Sequence, residues 1–333
     1  MKDEVVFVFQ SEVKMKAAVV WEAGKSPVYS DFEEPIPHEG EVRVHVTASA
    51  LTNFTKIRAT GKHFSFSARP PFVVGIDGVG KLEDGRRVYF LFPRAPFGGI
   101  AERTVVSSLH CIDVPDSVDD ITLAAIADPG MAAWAALETR AKMIAGETVL
   151  INGATGSAGR MAVQIAKFLG AKKVVATGRN REVLNSLLAI GADEVISQDH
   201  DGKSSDDELR EQFAQRIDVV LDYLWGASAV QILAAATAAK GTTPIRFVQI
   251  GTTSAPEITL PGAVLRSSAI QMMGSGIGSV ALEEIILILS KLMHASSEVG
   301  LHVATRELEI SRIGEAWSAE SATPRIVLSM NAP

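Results

Sequence analysis

One cysteine, Cys111, is all that the 333 residues contain. A single thiol excludes an intramolecular disulfide and any zinc site built on several thiolates. Nor is there a basic excess: 32 lysines and arginines stand against 39 aspartates and glutamates, a formal net charge of −7. Such a surface repels phosphate backbones and argues against nucleic acid as a partner. A long apolar run is missing as well. The stretch 5–9 is short and lies between Asp3-Glu4 and Glu12, so no membrane span and no secretory signal is expected, and the chain reads as cytoplasmic. What is present, 47% apolar and 21% charged residues, suits a folded protein and excludes a disordered or fibrous one. The length suggests two domains.

Met15-Lys16 immediately precedes a clean strand at 17–21, so residues 1–14 are expected to be an extension not needed for chemistry. The first third reads as β structure with irregular connections. Residues 41–48 alternate Val42, Val44 and Val46 with polar partners, the period of a half-buried strand. Further strands are expected at 72–74, 78–82, 87–92, 100–106 and 109–112, a compact barrel-like set. Residues 121–141 read as helix broken only at Asp128-Pro129-Gly130. Strand-like and helix-like segments then alternate to residue 273, which builds a parallel sheet with helices on both faces. A helix at 282–294 and strands at 303–308 and 325–330 follow, and residues 200–207, rich in Asp and Ser, read as an exposed loop. These patterns divide the chain into domains at 1–121 and 122–276, with residues 277–333 returning to the first.

A strand at 148–151 runs into Gly153-Ala154-Thr155-Gly156-Ser157-Ala158-Gly159 and then a helix. Glycines spaced in this way between strand and helix let the backbone approach a pyrophosphate, while the free N–H groups of the helix start point at the anion. Twenty residues beyond Gly159, where an acid would bond the ribose of NAD, stands Arg179, within Gly178-Arg179-Asn180-Arg181. A guanidinium pairs with a 2′-phosphate in a fork geometry that a carboxylate would repel, so NADPH is expected rather than NADH. The bland alternative is that Arg179 and Arg181 are solvated residues at a helix start.

These runs, with Met15–Trp21, Pro71-Phe72-Val73-Val74-Gly75-Ile76-Asp77-Gly78-Val79-Gly80, Gly85-Arg86-Arg87-Val88 and Gly191-Ala192-Asp193-Glu194-Val195-Ile196, resemble the medium-chain dehydrogenase/reductase superfamily. Within it they are similar to the zinc-independent quinone oxidoreductase branch that includes zeta-crystallin. The resemblance implies an α/β protein with a GroES-like β-barrel and a Rossmann doubly wound sheet, with the active site in the cleft between them. Zinc-dependent members carry a cysteine in the segment equivalent to 48–56 and Gly-His-Glu at the equivalent of Gly75-Ile76-Asp77; here stand Thr52-Asn53 and Ile76-Asp77, and the structural zinc loop is absent too. His38, His45 and His63 could be combined only on paper, so no metal is expected.

Without a Lewis acid, the accessible chemistry is hydride transfer to an acceptor that is already electron-poor, a quinone or an α,β-unsaturated carbonyl. The resemblance assigns Asn53 to the face of the nicotinamide. Lys56 stands where the branch commonly has an acid and is a candidate oxyanion donor, with a solvated surface lysine the alternative; Arg58, His63 and Tyr89 are weaker candidates. Phe54, Phe64, Phe66, Phe90, Leu91, Phe92 and Phe97 would line an apolar pocket or simply fill a core. Ligands gather at the carboxyl edge of such a sheet, which points to Tyr223, to Gly251 and Thr252, and to Gly274 and Ser275 as further cofactor contacts. For the last strand the resemblance implies pairing with its mate in a second subunit, a homodimer, and an exposed run at 269–273 would otherwise be an aggregation edge. Two other readings remain open, a nucleotide-binding crystallin-like protein with little activity and a zinc-free ketone or alcohol reductase.

Overall fold

The structure, a computed structural model, describes residues 13–60, 69–198, 203–239, 241–319 and 324–330; nearly all of the expected extension, and His63, Phe64 and Phe66, lie outside them. Its contacts divide the chain into one unit of residues 1–125 with 305–333 and another of residues 126–304.

In the first unit β1 (Lys14–Val20) lies antiparallel between β2 (Val28–Glu33) and β4 (Phe72–Val73), which follows β3 (Glu41–Ala50) and α1 (Asn53–Ala59). Alternate residues of β1 serve two cores, as a period of two demands. Met15, Ala17 and Val19 pack with Phe32, Val73 and Phe97, while Ala18 and Val20 join Val44, Val46, Val88 and Phe90. β3 is the hub of the larger sheet. It pairs with β5 (Asp77–Leu82) and β7 (Arg103–Ser107), and β5 pairs in turn with β6 (Arg87–Leu91), whose other edge meets β8 (Cys111–Asp113). α1 is an element that sequence patterning leaves unassigned. It forms because the Thr52 hydroxyl accepts the Thr55 N–H at 2.9 Å, an N-cap that starts a helix on a short segment.

α2 (Asp120–Trp134) runs straight through Pro129, so the expected break at residues 128–130 is not there. Proline removes one hydrogen bond, whereas burial of Ala133, Ala135, Ala136 and Leu137 and the close approach of Leu292 to Gly130 hold the rest. The irregularity comes later, as a π-turn over Ala135–Arg140 in which the Ala141 N–H reaches the Ala136 carbonyl at 2.9 Å.

The second unit continues with β9 (Thr148–Asn152), α3 (Ser157–Phe168), β10 (Lys173–Gly178), α4 (Arg181–Ser186), β11 (Glu194–Ser197), α5 (Lys203–Gln215), β12 (Val219–Asp222), α6 (Gly226–Ala238), β13 (Ile245–Gln249), α7 (Gly262–Arg266), β14 (Ile270–Gly274) and α8 (Leu282–Val299). The sheet order is β11-β10-β9-β12-β13-β14 and every neighbouring pair is parallel, the doubly wound arrangement expected from the alternation. Helices cover both faces, which is why β9 is buried along its whole length. α5 begins at Lys203, inside the stretch expected to be loop. Its buried residues Ser205, Leu209, Gln212 and Phe213 recur at helical spacing, a period diluted by the surrounding acids. α8 belongs to this unit, although the sequence pattern groups it with the return segment. The chain re-enters the first unit as β15 (Thr305–Glu309), α9 (Ile313–Ser318) and β16 (Arg325–Ser329), and β16 pairs with β3. Among the described residues no helix is long and apolar enough to cross a membrane.

Candidate functional site

The turn from β9 to α3 is built from close backbone contacts. A Cβ on Gly159 would lie 2.5 Å from the Ala154 Cα and collide with the Gly153 carbonyl, so helix and turn pack at a distance only glycine permits. Gly156 differs. It is the N-cap of α3, offers no side-chain cap, and a Cβ there would meet only the Gly153 carbonyl, at 3.9 Å. The first N–H groups of α3, from Ser157 and Ala158 onward, stand beside this open position at the positive end of a twelve-residue helix. Thr155 sits beneath Gly178 at the end of β10, and its carbonyl accepts from Arg160 Nε at 3.4 Å.

Beneath the turn lies a polar knot that sequence patterning does not reveal. The Asn152 amide donates to Asp222 Oδ1 at 2.7 Å and to the Ser228 hydroxyl at 2.9 Å, while its oxygen accepts from the Thr177 hydroxyl at 2.9 Å. The carboxyl ends of three adjacent strands are thereby tied to one another and to the amino end of α6. Asp222 Oδ1 also accepts the N–H groups of Leu224 and Trp225, both at 3.1 Å, whereas Oδ2 is buried with no hydrogen-bond partner among the described residues. Burial raises the Asp222 pKa, against the pull of the donors around Oδ1. Trp225 has φ 60° and ψ −158°, a conformation that ordinarily belongs to glycine, and its ring is anchored 6.4 Å from that of Phe247. Leu224 closes on Gly153, whose Cβ would stand 2.8 Å from the Leu224 Cγ. The only hint in the sequence was an acid ending an apolar strand.

At the end of β10, Arg179 and Arg181 are exposed and form no ion pair with any described residue. Asn180 caps α4, its Oδ1 accepting the Val183 N–H at 3.1 Å. At the end of β12, the Tyr223 N–H donates to the Asn152 carbonyl at 3.1 Å; after β13, the Gly251 N–H donates to the Asp222 carbonyl at 3.2 Å, and Thr252 is exposed. After β14, the Ser275 N–H reaches the Gln249 carbonyl at 2.8 Å. Arg140, at the end of the π-turn, donates to the Gly274 carbonyl at 2.8 Å, a support with no sequence signal. The cofactor candidates Gly153, Thr155, Gly156, Ser157, Ala158, Gly159, Gly178, Arg179, Asn180, Tyr223, Gly251, Thr252, Gly274 and Ser275 thus all fall at the carboxyl edge of one sheet.

In the first unit, Asn53 opens α1, exposed, and its side chain has no hydrogen-bond partner among the described residues. Lys56, the candidate oxyanion donor, is engaged with main chain. Its ammonium donates to the Trp317 carbonyl at 2.8 Å and the Ala319 carbonyl at 3.1 Å, so it clasps the end of α9, and burial lowers its pKa. The Arg58 guanidinium lies 5.7 Å from the Phe54 ring. The Tyr89 hydroxyl donates to Asp77 Oδ2 at 2.7 Å, both side chains buried. Phe90 and Phe97 are core residues, packed in separate clusters. His45 pairs with Glu83 at 3.4 Å, on the surface, and burial pushes the Cys111 thiol up to about 11.

Comparison with known proteins adds to this geometry. The family described as zinc-binding dehydrogenase, ADH_zinc_N, matches residues 158–292. The Emericella nidulans protein named as a probable NADPH-dependent quinone reductase, tdiC, is 26% identical over 348 residues, 92% of this chain and 97% of its own. The quinone oxidoreductase of Sus scrofa is 31% identical over 206 residues, 59% of this chain and 61% of that one. Among solved structures, the quinone oxidoreductase of Thermus thermophilus, also solved in complex with NADPH, is 26% identical with a TM-score of 0.78, covering 95% of this chain and 100% of that one. With its doubly wound sheet and glycine turn, the chain belongs to the medium-chain dehydrogenase/reductase superfamily, in the quinone-reductase branch.

Proposed function

We propose that the protein is an NADPH-dependent reductase that delivers hydride to a quinone or an α,β-unsaturated carbonyl without a metal. The observation that carries this is Arg179, a guanidinium without an ion pair among the described residues, standing at the strand end next to an uncapped, unobstructed helix start. The residues fit the cofactor. The N–H groups of Ser157 and Ala158 take the pyrophosphate, Gly156 leaves it room, and Arg179 with Asn180 takes the ribose 2′-phosphate. Gly178 lies beside Thr155 at the adenosine end, and Tyr223, Gly251, Thr252, Gly274 and Ser275 hold the nicotinamide half. NADPH, when bound, supplies the hydride.

Asn53 is the donor we assign to the oxygen on which negative charge develops, since its amide is exposed and unengaged among the described residues. A metal-free path is favoured by Ile76, which cannot ligate, and by Asp77, already bonded to Tyr89. The loss of Lys56 to main-chain carbonyls favours one competitor, a nucleotide-binding protein with little turnover. The charge of −7 and the lone thiol favour a cytoplasmic protein that leaves nucleic acid alone, and the exposed edge of β14 favours a homodimer joined there.

Two measurements test the proposal. Arg179→Ala should weaken NADPH binding roughly tenfold or more and leave NADH nearly unchanged, a doubly charged phosphate having lost its fork; equal losses would sink the assignment. NADPH oxidation should proceed with a quinone or an enone and not with a simple ketone, and silence with all three would favour the nucleotide-binding competitor.

A further inference from the structure

Tyr223 has a committed backbone and an uncommitted side chain. Its N–H donates to the Asn152 carbonyl at 3.1 Å, and a Cβ on Gly251 would lie 2.5 Å from the Tyr223 carbonyl oxygen, so its backbone packs directly against both neighbouring segments. The side chain is 7% exposed, yet its hydroxyl is buried with no hydrogen-bond partner among the described residues. A hydroxyl withdrawn from water and left unpaired destabilises the folded chain relative to a phenylalanine of the same shape, and such groups are rare in folded proteins. Burial also raises the phenol pKa, so the group stays neutral and keeps its proton to donate.

The sheet order says which partner completes the bond. β9 carries the glycine turn; β10, on one side of it, is followed directly by Arg179, and β12, on the other side, is followed directly by Tyr223. A dinucleotide laid across this edge with its adenosine phosphate at Arg179 brings its nicotinamide half to β12. We infer that the Tyr223 hydroxyl is a binding group for the nicotinamide–ribose half of the cofactor, donating to one of its oxygens and so satisfying a polar atom that the free protein leaves unpaired. The inference rests on the NADPH reading above.

Tyr223→Phe tests it with three readouts that need no turnover. The melting temperature of the cofactor-free variant should equal or exceed that of the wild type, since an unpaired hydroxyl is removed. Its NADPH dissociation constant should rise about five- to tenfold, the scale of one lost hydrogen bond. Its affinity for 2′,5′-ADP, which carries only the adenosine half, should stay unchanged. A variant that binds NADPH as tightly as the wild type, that loses both ligands equally, or that melts lower without cofactor would overturn the role of the hydroxyl. Failure of the wild type to bind either nucleotide would instead overturn the cofactor reading, and this inference with it.

Discussion

Lys56 and Arg179 are both basic residues that sequence alone makes candidates, and their surroundings separate them. The Lys56 ammonium bridges two carbonyls at the end of α9, while Arg179 is exposed with no ion pair among the described residues. Lys56→Met should therefore cost about 1–3 kcal/mol of stability in urea unfolding, the scale of hydrogen bonds to a charged group, while leaving NADPH affinity unchanged. Asp222 gives a pH signature. Its folded-state pKa is raised by burial above the ordinary 3.8, so the protonated form is the one folding favours. Its contribution is fully present below pH 3.8 and is lost as pH rises through the folded-state value. The stability of Asp222→Asn relative to wild type should thus increase across that window, read by denaturation at a series of pH values; a flat difference would contradict the shift. Glycine spacing and the arginine twenty residues on were legible because each follows from local order along the chain. The burial of Asp222 and Tyr223 was not, because enclosing one carboxyl oxygen and one hydroxyl depends on neighbours from several elements.

Elements with a strong period were readable. The alternation of Val42, Val44 and Val46 gave β3, and the strand–turn–helix at 148–168 gave the site's centre. Elements held by something other than period were hidden. α1 depends on one threonine cap, α5 starts within an Asp- and Ser-rich stretch, and α2 continues past a proline because its flanks are buried. The β9–α3 junction should be the least tolerant of these elements. Gly159→Ala drives a methyl into main-chain atoms that cannot rotate away, so it should destabilise the protein by roughly 1–3 kcal/mol, the cost of overpacking, and shift its thermal midpoint downward.

For the molecule as a whole, contacts divide the chain at residues 125/126 and 304/305, and the change of pattern in the sequence comes near residue 120. The return boundary was not legible, since α8 is amphipathic and could serve either unit. Among the described residues β14 ends the sheet with one side unpaired, and Met272 and Met273 on it are half-buried. Sedimentation should give twice the 35.4 kDa of one chain, and Met272→Pro, which removes a strand donor, should shift the mass toward a single chain. A single-chain mass for the wild type would refute pairing through this edge. The clearing at Gly156 has a practical consequence at this scale. No described atom of the chain, apart from a distant carbonyl, crowds that position, so alanine, valine and leucine can be tried there in turn as a ruler for the clearance a ligand needs. The bulkiest step that keeps the native melting curve would be an intact protein blind to its coenzyme, and with it any cellular role that survives can be separated from catalysis.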